Sequence, residues 1–224
     1  MKSLLKASAA AIVVIVALSG CTSTPSNTYA KSSAAGTYFT VPYGWHKISQ
    51  GQLDKQESQS TSDGAADRAS AVVWQEAYSP SIGENPKSVF SLDPPNSPIA
   101  FVRVRALLPD EVNSVSYNFL RDIFVPLTTW LNSSTDSSEA PLPMSNFTFL
   151  DEREYVAKNA HGVRSVFSFT GADGVSQTFD QTAVVSDDRA YMYVFLVRSK
   201  TDYYLKHRKS LSDISQSFTV RGVQ

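Results

Sequence analysis

Three histidines, one cysteine and a short acidic run are the side chains of this 224-residue chain from which chemistry could start. Asp151, Glu152 and Glu154 lie in a stretch with strand-like alternation, with Asp151 facing opposite to the other two and Arg153 between them. Two carboxylates held about 5–10 Å apart across a cleft can share acid and base work on a glycosidic bond. A solvated strand face with arginine partners uses the same residues with no chemistry at all. His46 directly follows Trp45, His161 falls in an expected hairpin turn, and the helical period places His207 on the inner face of the last helix. His207 together with the acidic cluster is the one route to a hydrolase that these residues leave open. The chain has no GxSxG elbow, no HExxH pair and no Walker-type loop. The expectation is therefore no catalytic set, no metal site and no cofactor.

Ligand contact has a slightly better basis. Tyr43 and Trp45 sit in an expected tight turn, and Arg103 and Arg105 alternate with Val102 and Val104, so that Phe101, Arg103 and Arg105 share one strand face. These four, Tyr43, Trp45, Arg103 and Arg105, are the nominated ligand contacts. The same arginines could instead cap helix carbonyls or pair with Glu152 and Glu154. Most other aromatics belong in a core.

The single cysteine leaves no intramolecular disulfide and no CxxC site, and 20 basic against 21 acidic groups give no electrostatic footprint for nucleic acid. Its position is informative. Lys2 and Lys6 precede an uncharged run from Ala7 to Leu18, which as a helix would span only about 18 Å against the ~30 Å hydrocarbon core of a bilayer. That pattern is a secretory signal peptide over residues 1–20. Leu18-Ser19-Gly20-Cys21 resembles the bacterial lipobox, in which the thiol receives a diacylglyceryl group and becomes the mature first residue. Cys21 is the expected lipid attachment site. Two acyl chains with roughly 30 buried methylenes would contribute on the order of 20 kcal/mol of anchoring. Residues 21–36, rich in Ser, Thr and Ala, read as a flexible tether of roughly 20 Å. Residues 37–224 then form a single domain.

Within that domain, 37–41 reads as a strand entering a turn at Pro42-Tyr43-Gly44-Trp45, with Pro42 suited to the second turn position and Gly44 to the fourth. Residues 50–69 are almost wholly polar and read as a mobile excursion, and the prolines between 79 and 98 read as a long surface loop. Strands are expected near 69–77 and 99–107. Apolar positions from Leu120 to Leu131 repeat at three and four, predicting a helix over 114–131 that Pro126 kinks or splits. Four strand-like runs follow near 146–157, 162–170, 175–185 and 190–198, joined by hairpin-short connections. Tyr191 to Val197 is apolar on both alternating sets, so this strand should be central and covered on both faces. Ser199 and Asp202 suit a capping-box start for a last helix, with Tyr204, His207, Leu211, Ile214 and Phe218 along one face.

Phe39-x-Val41-Pro42-x-Gly44-Trp45, a polar middle, a helix, an antiparallel meander and a last helix ending in Ser217-Phe218 resemble the PsbP-like fold. With the lipobox, the pattern is similar to actinobacterial lipoproteins of the LpqN type. The resemblance covers most of residues 37–220, and the excursions at 50–69 and 79–98 depart from a minimal version of that fold. It implies an α+β fold, a largely antiparallel sheet flanked by helices on both faces in an α/β/α sandwich. It also implies an accessory or binding role in the bacterial envelope, and it transfers no catalytic residue. The expected protein is a non-enzymatic lipoprotein on the extracytoplasmic face of the cell membrane. Its partners would be the membrane, through the lipid, and either an envelope protein or an apolar small molecule, with no nucleic acid. An apolar ligand would need a cavity of roughly 300 Å³ or more, expected between the sheet and the last helix. The alternatives are an envelope hydrolase using the carboxylate and histidine groups, or an assembly factor with no pocket.

Overall fold

The computed structural model describes residues 26–132 and 144–222. The expected signal peptide, Cys21 and the start of the tether lie outside the described residues, as does most of the polar stretch before Met144.

The fold is α+β. A seven-stranded antiparallel sheet runs in the order β3-β4-β5-β9-β8-β7-β6. Its strands are β3 (His46–Ile48), β4 (Val72–Ser79), β5 (Ile99–Ala106), β6 (Ser145–Ala157), β7 (Ala160–Thr170), β8 (Ser176–Ser186) and β9 (Tyr191–Lys200). The last four form the meander that the alternation predicts. The doubly apolar β9 lies between β5 and β8, with Met192, Val194 and Leu196 buried on one face and Tyr193, Phe195 and Val197 on the other.

One face is covered by the helices of the chain's first two thirds: α1 (Gln50–Glu57), α2 (Ala65–Ser70), α3 (Lys87–Phe90), α4 (Tyr117–Arg121) and α5 (Leu127–Asn132). The opposite face is covered by α6 (Thr201–Lys206) and α7 (Arg208–Ser217). It also carries a second sheet of β1 (Asn27–Ser32), β2 (Thr37–Pro42) and β10 (Thr219–Val220), in the order β1-β2-β10. Phe39 of β2 packs tilted against Phe195 at 4.7 Å, and Phe195 lies parallel to Phe218 at 4.9 Å. Under this aromatic layer Asp180 of β8, fully buried, takes both arms of Arg164 at 2.7 and 2.6 Å and the Tyr204 hydroxyl at 3.3 Å. The pair ties α6 to the centre of the sheet.

Several expectations are corrected. The tether expected over 21–36 is already folded from Asn27, because β1 pairs with β2 through its whole length and buries Ala30. Backbone pairing, which the side-chain composition does not report, makes this strand. The excursion at 50–69 contains α1 and α2. Leu53 is the one buried side chain of α1, the Gln52 amide oxygen accepts from the Ser49 backbone N–H at 2.9 Å, and Asp54 accepts from Gln75 at 2.7 Å. The loop at 79–98 contains the short α3, anchored by buried Val89. Pro126 does split the expected helix, into α4 and α5. The β2 turn is displaced by one residue: Trp45 N–H bonds the Pro42 carbonyl at 3.2 Å, which puts Gly44, with φ +89°, at the third position. The turn between β6 and β7 is Lys158-Asn159, with Asn159 left-handed, so His161 stands in strand β7. The last helix begins at Thr201 without a side-chain cap and breaks at His207, whose φ of −117° turns that ring outward. His207 is exposed and stacks on Tyr203 at 4.2 Å.

Candidate functional site

The sheet face under α1 to α5 carries a row of polar groups within an apolar surface. By register, Phe101, Arg103 and Arg105 of β5 lie beside Leu196, Val194 and Met192 of β9, and Arg198 of β9 lies beside Phe179 of β8. The covering elements do not close completely over them. A cleft of about 450 Å³ remains, floored by these strands and walled by Val89 to Leu92, by Ile123 and Phe124, and by Ser62 and Arg68. That volume is within the range of small-molecule sites. The expected position, beneath the last helix, is corrected: the core there is filled by Phe39, Phe195 and Phe218. A cleft of about 400 Å³ does lie beside α7, but against the β2 edge and with polar Lys206, Lys209 and Asp213 in its walls.

Polar clasps hold the cover around the apolar cleft. Gln177 donates to the Leu92 carbonyl at 2.5 Å and Gln181 to the Arg121 carbonyl at 2.6 Å. Arg103 donates to Glu57 at 2.5 Å, and Arg105 makes a bidentate pair with Glu111 at 2.5 and 2.6 Å. Burial works against ionising Glu111, yet the Arg105 hydrogen bonds and the Leu108 N–H outweigh it and hold its carboxyl below the usual 4.5. Arg103 is likewise lowered by burial, partly offset by Glu57.

Arg198 differs from these. It is 1% exposed, and among the described residues no carboxylate pairs with it. Its guanidinium donates to the carbonyls of Ser91, Ser88 and Asp93, lies 5.4 Å from the Phe179 ring centre, and leaves its buried Nε without an acceptor. Desolvation pushes its pKa down to about 10, against the more distant attraction of Asp93 and Glu84, so it remains a cation at neutral pH. A buried cation satisfied only by neutral carbonyls is left without charge compensation, which favours an anion nearby.

The nominated contacts are divided by the fold. Arg103 and Arg105 border the cleft, paired with Glu57 and Glu111 and not with Glu152 or Glu154. Tyr43, 61% exposed, and half-buried Trp45 lie at the β2 turn, where Trp45 packs on the opposite core. Sequence reasoning missed Arg198; the available signal was an arginine continuing the alternating set of Met192, Val194 and Leu196. The acidic cluster is held in place without a histidine. Glu152 receives both arms of Arg121 at 2.6 and 2.8 Å and the Ser165 hydroxyl, while Glu154 accepts from Tyr117. Asp151 faces the other way and His207 is on the far side of the sheet. His161 contacts Asp187 at 2.9 Å on the surface. Among the described residues no three His, Cys, Asp or Glu side chains gather as a metal site.

No family model matches the chain, and no curated protein does. Solved structures do. The cyanobacterial PsbP protein CyanoP of Synechocystis is similar at 12% identity and a TM-score of 0.45, over 90% of this chain and 96% of that one. LpqN of Mycobacterium tuberculosis, described as involved in cell envelope biogenesis, is similar at 12% identity and a TM-score of 0.45, over 88% and 86%. Protein PA94 of Pseudomonas aeruginosa is similar at 8% and 0.38, over 88% and 99%. At these values the likeness concerns the outline of the fold.

Proposed function

We propose that this chain is a non-catalytic binding factor of the bacterial envelope, held on the outer face of the cell membrane by lipid at Cys21, and that its cleft takes an amphiphile with an apolar body and an anionic head. The observation that carries the reading is Arg198, a buried guanidinium with no carboxylate partner among the described residues, in a cleft of apolar side chains that Arg68, Arg103 and Arg105 also border. An apolar body would pack against Phe101, Val194, Leu196 and Phe124 of the lining, the gain coming mainly from its own surface leaving water at about 25 cal/mol per Å². An anionic head in the cleft is attracted by Arg198, which no carboxylate neutralises among the described residues, and by Arg68, Arg103 and Arg105 in the same lining. The anchor rests on the Ala7–Leu18 run and the Leu18-Ser19-Gly20-Cys21 junction. No described helix is long and apolar enough to cross a membrane.

Native mass spectrometry of protein extracted from membranes tests both halves. The expected result is a diacylglyceryl mass at Cys21, together with a second, non-covalent amphiphile at one per chain. Val194→Trp, which fills the cleft from its floor, should abolish the second mass and keep the first. A wild-type protein that never carries or takes up an amphiphile would overturn the binding reading, and a Cys21→Ser protein retained in the membrane after leader removal would overturn the anchor.

A further inference from the structure

The distance in sequence from Cys21 to the first described residue limits how far the domain can stand from its anchor. Ser26 is already tied down, its carbonyl accepting from Tyr43 N–H at 3.0 Å, and β1 follows at once. Cys21 lies five residues upstream. Whatever conformation they take, five residues span at most about 18 Å. An acyl group on Cys21 therefore holds the Pro42–Trp45 turn close to the bilayer surface.

The surface at that place is basic and edged with aromatic and apolar groups. Asn27 and Pro42 line one cleft with Lys206, His207 and Lys209 at the α6–α7 junction. Between Lys200 and Lys209 stand four cations and one acid, Asp202, in a chain of net charge −1. Lys206, Arg208 and Lys209 are exposed, and Lys209 pairs with Asp213, an exposed i,i+4 pair at 2.7 Å. Leu205 and Tyr203 of α6 and Tyr43 of the neighbouring β2 turn are exposed, Leu205 and Tyr43 each 61%. Tyrosine rings favour the headgroup level of a bilayer.

We infer that the α6–α7 junction and the Tyr43 turn dock together on anionic headgroups of the same bilayer that holds the acyl chains. The inference rests on acylation at Cys21 and is independent of the cleft ligand. Each basic side chain near an anionic surface contributes about five-fold to the docked fraction. Lys206, Arg208 and Lys209, less the opposing charge of Asp213, then favour docking by about 25-fold.

Acylation consumes the chain's one thiol, so a cysteine introduced elsewhere is a unique label site. Acylated full-length protein is spin-labelled through Ser210→Cys beside the junction. A second label is placed through Asp187→Cys in the β8–β9 turn at the opposite end of the sheet. Both are inserted into vesicles of phosphatidylcholine, alone or mixed with phosphatidylglycerol. On the mixed vesicles the Ser210 label should lose access to an aqueous relaxation agent by several-fold while the Asp187 label does not. Replacing Lys206, Arg208 and Lys209 by glutamine should restore access. Equal access on both vesicle types, or a loss that survives the triple substitution, would overturn the inference. Protection that appears only with other membrane proteins present would assign the surface to a protein and also overturn it. A thiol at Cys21 that still titrates would fail the anchor itself, and that outcome is separable because such protein does not enter the vesicles.

Discussion

Replacing Asp180 by asparagine keeps the side chain's shape and removes its charge at the centre of the fold. Asp180 is fully buried, and its partner Arg164 has a side chain only 6% exposed. Desolvation opposes the Arg164 charge, but the hydrogen bonds and field of Asp180 outweigh it and raise its pKa. Asparagine can accept one hydrogen bond from the guanidinium in place of two, and it leaves a buried cation uncompensated. Breaking a buried pair in this way costs about 3–5 kcal/mol. The remaining bond puts the expected loss near the lower end, about 3 kcal/mol. With a urea m-value of about 3 kcal/mol/M for a domain of this size, the unfolding midpoint should fall by about 1 M. The companion Arg164→Met, Asp180→Leu double variant removes both charges and should recover most of the loss, since apolar replacement of a buried pair is often neutral. Urea unfolding followed by circular dichroism measures all three proteins. A loss below about 1 kcal/mol for Asp180→Asn, or a double variant no more stable than the single, would refute this account of the pair.

Gly162 of β7 passes so close to β8 that a Cβ there would overlap the Ala183 carbonyl oxygen. Gly162→Ala should therefore lower stability by about 2–3 kcal/mol, read as a fall in melting temperature, and a neutral effect would mean that the two strands separate at no cost. The pH dependence follows from Glu111. Its carboxyl is held below 4.5, so its contribution is complete above that value and is lost as pH falls through the lowered folded value. The stability gap between wild type and Glu111→Gln should thus be largest near neutral pH and shrink as pH falls below the ordinary carboxylate value of 4.5; a gap that stays constant with pH would contradict the Arg105 pairing.

The sequence and the structure agree where side-chain alternation dictates burial. The runs from Phe147 to Val197 alternate well enough to fix four strands, and the doubly apolar Tyr191–Val197 segment lies at the sheet centre. Pro126 splits its helix because it cannot donate to the previous turn. Agreement ends where stability comes from single contacts. Helix α1 has one buried apolar residue, Leu53, and is otherwise held by Asp54 and Glu57 reaching Gln75 and Arg103 of the sheet, pairings distant in the chain. Strand β1 depends on backbone bonds to β2. His207 fits the helical period, but the period assumes an unbroken helix, and the break between α6 and α7 turns it out. At the site, the Arg103 and Arg105 face was legible from period two. Arg198 follows the same period, yet its lack of an ion-pair partner among the described residues is a property of the assembled cover, set by where the carbonyls of Ser88, Ser91 and Asp93 fall.

The most direct test of the binding reading is a calorimetric titration of full-length protein with oleate and, separately, with methyl oleate, which keeps the chain and removes the charge. The reading predicts one oleate per protein, at least about ten-fold weaker binding of the ester, loss of that preference in Arg198→Met, and loss of all binding in Val194→Trp. Equal affinity for acid and ester, or oleate binding that persists with the cleft filled, would contradict it.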